Sequence, residues 1–207
     1  MKNGATYEDL LTNLRQYKHK YYLNRLLRGT IISTGLISTV FLVLTVTEYF
    51  GRFNSTGRLL FLLIFSVIFL YTLISWIVLP IIKLINNDKA LSNEEASHQI
   101  GSYFPEIQDK LINTLQLQGI NCTDNSLIIA SIQQKTKELN SFSFERAIDL
   151  SENRKYLRYT VPPILLIITL LIIIPSFLTE STNRIIKYDK NFPVPAPFKF
   201  HILNNFV

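Results

Sequence analysis

Three long uncharged stretches interrupt an otherwise mixed polar chain: Thr30–Thr47 (TIISTGLISTVFLVLTVT), Leu59–Ile82 (LLFLLIFSVIFLYTLISWIVLPII) and Val161–Leu178 (VPPILLIITLLIIIPSFL). A bilayer core of about 30 Å needs roughly 20 apolar helical residues to cross it, with about 17 as the lower bound, and each stretch meets that bound. The pattern predicts a mainly α protein with three transmembrane helices: a helical hairpin over residues 29–82 and a third span over 161–178. Buried helices of a water-soluble domain are the competing reading. They would demand a far larger surrounding core than 207 residues provide. Tyr21, Tyr22, Tyr49, Phe50 and Trp76 lie near the ends of the first two stretches, where amphipathic rings favour the headgroup layer, and Lys83 can snorkel to the same interface. Pro80 and Pro175 lie near span ends, where they need not break a helix.

Between the second and third spans, residues 83–160 change to helical periodicity with polar faces. Ser92 and Glu95 fit a capping box, after which Ala96, Ile100 and Phe104 share one face. Pro105 permits a fresh helical start, and Ile107, Leu111 and Leu115 recur at four-residue spacing. Gly119 and the stretch Asn121–Asn125 predict a break, followed by a third apolar stripe of Ile129, Ile132 and Leu139. A short segment follows around Phe144–Leu150. A further helix from about Ser151 leads to Pro162 and Pro163, whose missing amide protons are best tolerated at a helix start. These stripes predict a compact bundle of four or five helices, too small to house a large catalytic cleft.

Residues 1–28 read as a cytoplasmic amphipathic N-terminal segment. They carry Lys2, Arg15, Lys18, Lys20, Arg25 and Arg28 against Glu8 and Asp9, whereas the connection between the first two spans holds only Arg52 and Arg58. Basic flanks stay inside, so the N-terminus and residues 83–160 are expected in the cytoplasm and residues 179–207 on the far side. The first apolar stretch is expected to be a retained anchor, since a long polar segment precedes it and no small-residue cleavage site follows. Beyond the third span, Thr179–Lys190 looks polar and helical, Asn191–Phe198 is broken by three prolines, and FKFHIL (Phe198–Leu203) alternates enough for one strand. A lone strand is unstable in water, so residues 179–207 are expected to be a short β-prone tail that opens a truncated β domain or pairs with a partner.

The formal net charge of +6 invites a nucleic-acid reading, but the insert alone holds ten acidic and nine basic residues, the balanced surface of a folded bundle. Candidate chemistry is sparse. His19, His98 and His201 are far apart with no co-ligands at metal spacing, and Cys122 stands alone. There is no glycine-rich phosphate loop, nucleophile elbow or HExxH. Glu94, Glu95, Glu106 and Asp109 offer carboxylates, but acids on a helix surface ordinarily serve solvation. No ionisable residue lies inside a span, which argues against a self-contained pore. Two glycosylation-like triplets, at Asn54 and Asn121, are short enough to recur by chance. Ser33, Thr34, Ser38 and Thr39 give the first span a small polar face suited to packing, first on its own tethered neighbours and otherwise on another chain. No catalytic, cofactor or metal site is therefore assigned, and membrane lipids together with a protein partner or a second copy are the expected partners. Neither nucleic acid nor a small-molecule substrate is indicated.

Several stretches carry a family resemblance: YYLNRLLRGTI before the first span, EEASHQIGSYFPEIQDKLINTLQL and SLIIASIQQKTKELNSFSFERAIDLSENRKYLRY within the insert, and PSFLTESTNRIIKYDKNFPVPAPFKFHILN after the third span. They resemble the N-terminal region of the very large bacterial envelope proteins of domain-of-unknown-function family 4175. The resemblance implies two N-terminal spans, a small cytoplasmic helical insert, a third span and then a long outer part with β modules, of which this sequence holds the anchor end. The resemblance supplies no activity and no catalytic residues; the three spans, the absence of catalytic motifs and the strand-like FKFHIL terminus together lead to the expectation of a noncatalytic inner-membrane anchor of a larger envelope protein or assembly. A transmembrane signalling protein coupling the outer segment to the bundle is the alternative.

Overall fold

The computed structural model describes residues 7–86, 91–119, 126–190 and Phe192, and these are mainly helical, with no strand among them. The helices are α1 (Tyr7–Gly51), α2 (Ser55–Thr72), α3 (Leu79–Ile85), α4 (Asn93–Tyr103), α5 (Gln108–Gly119), α6 (Ser126–Leu139), α7 (Arg154–Ile173) and α8 (Pro175–Ile186). A π-helical turn over Leu73–Val78 joins α2 to α3 without a break, and short 3-10 turns over Phe144–Ala147 and Leu150–Asn153 lead into α7. Three helical stretches are long and apolar enough to cross a membrane: Tyr7–Gly51, Ser55–Ile85 and Phe144–Ile173. The predicted FKFHIL strand, the Asn121–Asn125 break with Cys122, and His201 lie outside the described residues. The chain groups into two compact units, one within Met1–Leu36 and Phe69–Pro162, the other within Ile37–Ile68 and Pro163–Val207.

In the first unit the first two predicted stripes meet in one core, which Leu139 of the third joins; Ile132 is buried apart from that cluster, and the Ile129 side chain lies outside the described residues. Ala96, Ile100, Ile107, Leu111, Leu115 and Leu139 are buried together with Phe144 and Ile148, and Phe104 packs against them. The capping box forms as the sequence predicts: the Glu95 amide donates to Ser92 Oγ at 3.0 Å and the Ser92 amide donates to Glu95 Oε2 at 2.9 Å. Pro105 opens a 3-10 turn that runs straight into α5.

The N-terminal segment is more than a flank to this core. Helix α1 passes residue 28 without interruption, and its Leu10, Leu14 and Tyr17 are buried in the same core as the insert. Polar bonds reinforce the docking along the helix. Tyr17 Oη donates to Gln99 Oε1 at 3.2 Å, Asn13 Nδ2 to Asn140 Oδ1 at 3.1 Å, Lys20 Nζ to the Glu145 carbonyl at 2.7 Å, and the Leu91 amide to Tyr22 Oη at 2.9 Å. The boundary expected at residues 28/29 therefore falls inside a continuous helix whose first turns complete the bundle.

Close helix approaches in the same unit depend on small residues. A Cβ on Gly29 would collide with the carbonyl oxygen of Trp76, and one on Gly35 would lie 2.8 Å from Thr160 Oγ1. Trp76 belongs to the π turn. Pro80, four residues later, has no amide to give the Trp76 carbonyl and would clash with it in a regular helix, which is the local reason for a wider turn here. Of the small polar face of α1, Ser33 is buried within the chain, whereas Thr34 and Thr39 are exposed.

Two proline positions differ from expectation. Pro162 and Pro163 do not begin a helix but sit inside α7, which runs through them from Arg154. Apolar helices tolerate such interruptions where neighbouring groups and local adjustments satisfy the freed carbonyls. Pro175, by contrast, does end the third apolar stretch: α7 stops at Ile173, Ile174 leaves the helical region with φ −136° and ψ 72°, and α8 starts at Pro175. The proline ring crowds the preceding residue out of the α conformation, so the span expected over 161–178 is two helices.

In the second unit α8 buries Phe177, Leu178, Ser181 and Arg184, one face of an amphipathic helix. Phe177 packs on Tyr49 with ring centroids 4.4 Å apart, and Phe41 meets Phe65 edge-on at 6.5 Å.

Candidate functional site

The most unusual chemistry among the described residues is a buried ion pair in the second unit. Helix α1 ends in Glu48-Tyr49-Phe50-Gly51, and α2 begins four residues later. Arg52 closes α1 in the left-handed region at φ 42°, its amide donating to the Glu48 carbonyl at 2.9 Å. Asn54 then caps α2, its Oδ1 accepting from the Gly57 amide at 3.0 Å. This short turn brings Glu48 and Arg58, ten residues apart in sequence, into register.

Arg58 Nε donates to Glu48 Oε1 at 2.9 Å, with side-chain exposures of 7% and 0%. The second carboxylate oxygen accepts from the Phe53 amide at 3.3 Å, so both oxygens of Glu48 are engaged. Arg58 also reaches beyond the hairpin: Nη1 donates to the Lys190 carbonyl at 3.2 Å, and the guanidinium lies 5.0 Å from the ring centroid of Phe192. Arg184 of α8 approaches the same ring at 6.0 Å while pairing with Glu180 at 3.5 Å. Thr45, one turn before Glu48, is fully buried and donates to the Phe41 carbonyl at 2.7 Å. One arginine therefore ties together the end of α1, the start of α2 and the segment leaving α8.

A carboxylate with both oxygens occupied and a guanidinium set over a ring form a staple. The pair escaped the sequence reading because Glu48 falls one residue beyond the first uncharged stretch and Arg58 one residue before the second. The available signal was an opposite charge on each side of a predicted tight turn, each bordering a span. The other polar residues singled out from sequence are dispersed. His19, His98, Glu94, Glu106 and Asp109 are exposed, and Glu95 is committed to its capping box. Asn54 serves as a helix cap, a sufficient structural role for the first glycosylation-like triplet. Among the described residues no group of three or more His, Cys, Asp or Glu side chains is placed to hold a metal ion.

No family model, curated protein or solved structure matches the chain.

Proposed function

We propose that the protein is a noncatalytic, multi-pass anchor of a bacterial inner membrane, with a cytoplasmic N-terminus and helical bundle, that mounts its C-terminal segment on the periplasmic face as part of a larger envelope assembly. The observation that carries this reading is the bareness of the long apolar helices. Only 6% of the most apolar window is buried within the protein in each of Ser55–Ile85 and Phe144–Ile173, against 28% in Tyr7–Gly51. Side chains such as Val67, Leu70, Leu165, Ile172 and Ile173 are more than half exposed, a surface that water does not tolerate and lipid does. The basic residues gathered in 1–28 favour that end inside.

The staple supports the mounting role, because Arg58 holds the chain at Lys190 and Phe192 against the hairpin tip. The β-prone tail beyond it belongs to the same proposal, as does membership in the envelope family the sequence resembles. The test is accessibility labelling of Ser126→Cys and Asn204→Cys in a Cys122→Ser background, in intact and permeabilised cells. Labelling of position 204 from outside and of position 126 only after permeabilisation is the expected result. Equal labelling of both overturns the orientation and the anchor role with it.

The unbroken run of α7 from the insert into the third apolar stretch favours a second reading, transmembrane signalling. Binding at the outer segment would then bias the bundle, and hydrogen exchange in residues 93–139 would change when the outer segment is altered. Unchanged exchange leaves the anchor reading alone.

A further inference from the structure

Within the first unit, the N-terminal half of α1 and the end of α3 enclose an open cleft of about 350 Å³ lined by Thr12, Arg15, Lys18, His19, Tyr22 and Lys83. Its walls are held in place by local contacts: Tyr22 is buried and accepts from the Leu91 amide, and Lys18 Nζ donates to Asn93 Oδ1 at 2.7 Å. Arg15 lies exposed along the rim, its guanidinium donating to its own helix at the Leu11 carbonyl and to Thr12 Oγ1. No carboxylate among the described residues forms an ion pair with Arg15, Lys18 or Lys83. The nearest acid in charge terms, Glu95 beside Lys18, has an oxygen committed to the Ser92 amide. Three cations and a histidine thus line one open concavity.

Its depth is informative. Gly29 meets Trp76, so in the antiparallel pairing of α1 with the π turn and α3 the level of Lys83 is that of Tyr22, about 10 Å along the helix from that contact. Lys83 is the first residue after the second uncharged stretch. The inner end of the cleft, at Lys83, lies in the headgroup layer of a bilayer the helices would cross, with Arg15 about 10 Å farther along α1, and basic pockets at such positions suit phosphate-bearing headgroups. We propose that this cleft binds a phosphate anion, with Arg15 and Lys83 as its principal donors and Lys18 behind them, and that an anionic phospholipid headgroup is its source. The lipid source rests on the membrane-spanning reading; the anion chemistry does not.

The test uses the full chain purified in a nonionic detergent. Short-chain phosphatidylglycerol, short-chain phosphatidylcholine and inorganic phosphate are titrated separately by calorimetry. Saturable binding of phosphatidylglycerol, little of phosphatidylcholine, and a loss of about fivefold in affinity for each of Arg15→Gln and Lys83→Gln are expected. Lys83→Arg should keep binding and Lys137→Gln, on the exposed surface of α6, should leave it unchanged. Helicity by circular dichroism separates lost binding from lost folding. Binding of inorganic phosphate with the same residue dependence, but not of the lipid, retains the anion site and assigns it to a soluble ligand. Equal binding by wild type and both Gln variants, or no binding of either anion, overturns the proposal. Retention of the chain in alkali-washed membranes, measured before solubilisation, tests the spanning reading separately.

Discussion

Thr160 donates its hydroxyl to the Ile31 carbonyl at 2.8 Å, and its Cα lies 3.0 Å from the point a Cβ on Gly35 would occupy. The two helices touch backbone to backbone here, and the hydroxyl bond is available only because residue 35 carries no side chain. Helix propensity alone would make Gly35→Ala stabilising by about 1 kcal/mol. The contact reverses the sign, since Thr160 must move with its backbone, and a net loss of about 1–3 kcal/mol is expected. Thermal unfolding in detergent decides between these signs, and a raised midpoint would show that the approach is looser than described.

The ion pair makes a non-additive prediction. Removing one partner leaves a buried charge uncompensated, so Glu48→Leu alone should cost about 3–5 kcal/mol. Replacing both, with Glu48→Leu and Arg58→Met, removes that penalty and should recover most of the loss. A double-mutant cycle on unfolding midpoints is the measurement. Simple additivity of the two single changes would mean that the charges do not depend on each other.

At the C-terminal end of α1, Arg52 occupies a backbone region that glycine adopts without penalty. Arg52→Gly should therefore stabilise by about 0.5–1 kcal/mol, despite the larger entropy that glycine gives the unfolded chain. A lower unfolding midpoint would indicate that the Arg52 side chain contributes more than its strained backbone costs.

The insert should not fold without the N-terminal helix. Leu14 is 1% exposed within the shared core, and Leu14→Ala is expected to cost about 2–5 kcal/mol. Deletion of residues 1–28 should leave residues 93–139 open to limited proteolysis. Survival of a protected fragment from that region would restore an independent bundle.

Periodicity made much of this legible. Uncharged length alone located the three stretches long and apolar enough to span a membrane, and the four-residue recurrence of Ile107, Leu111 and Leu115 found a buried face because a helix returns nearly to the same side after four residues. The Ser92 and Glu95 pair was readable because a capping box is a local device with a fixed spacing. The contribution of Leu10, Leu14 and Tyr17 was not, because a stripe in sequence shows which side of a helix is apolar but not which other helix covers it. Prolines misled in both directions for a related reason. Pro175 ended a helix and Pro162 did not, although each withholds the same amide, and the difference lies in surroundings that local sequence does not encode. The Glu48 and Arg58 staple depends on a turn geometry and on a return of the chain to Lys190, which makes it the least readable feature of all.

The neutrality of that staple has an electrical consequence under the proposed anchoring in an energised membrane. A full elementary charge moved through the potential exchanges about 2.3 kcal/mol per 100 mV. Glu48 and Arg58 travel together, so any rocking of the hairpin that keeps them joined transfers no net charge from this pair and draws no work from the field. An arginine released from its glutamate would leave one uncompensated charge at the hairpin tip, where the native protein keeps the pair electrically silent.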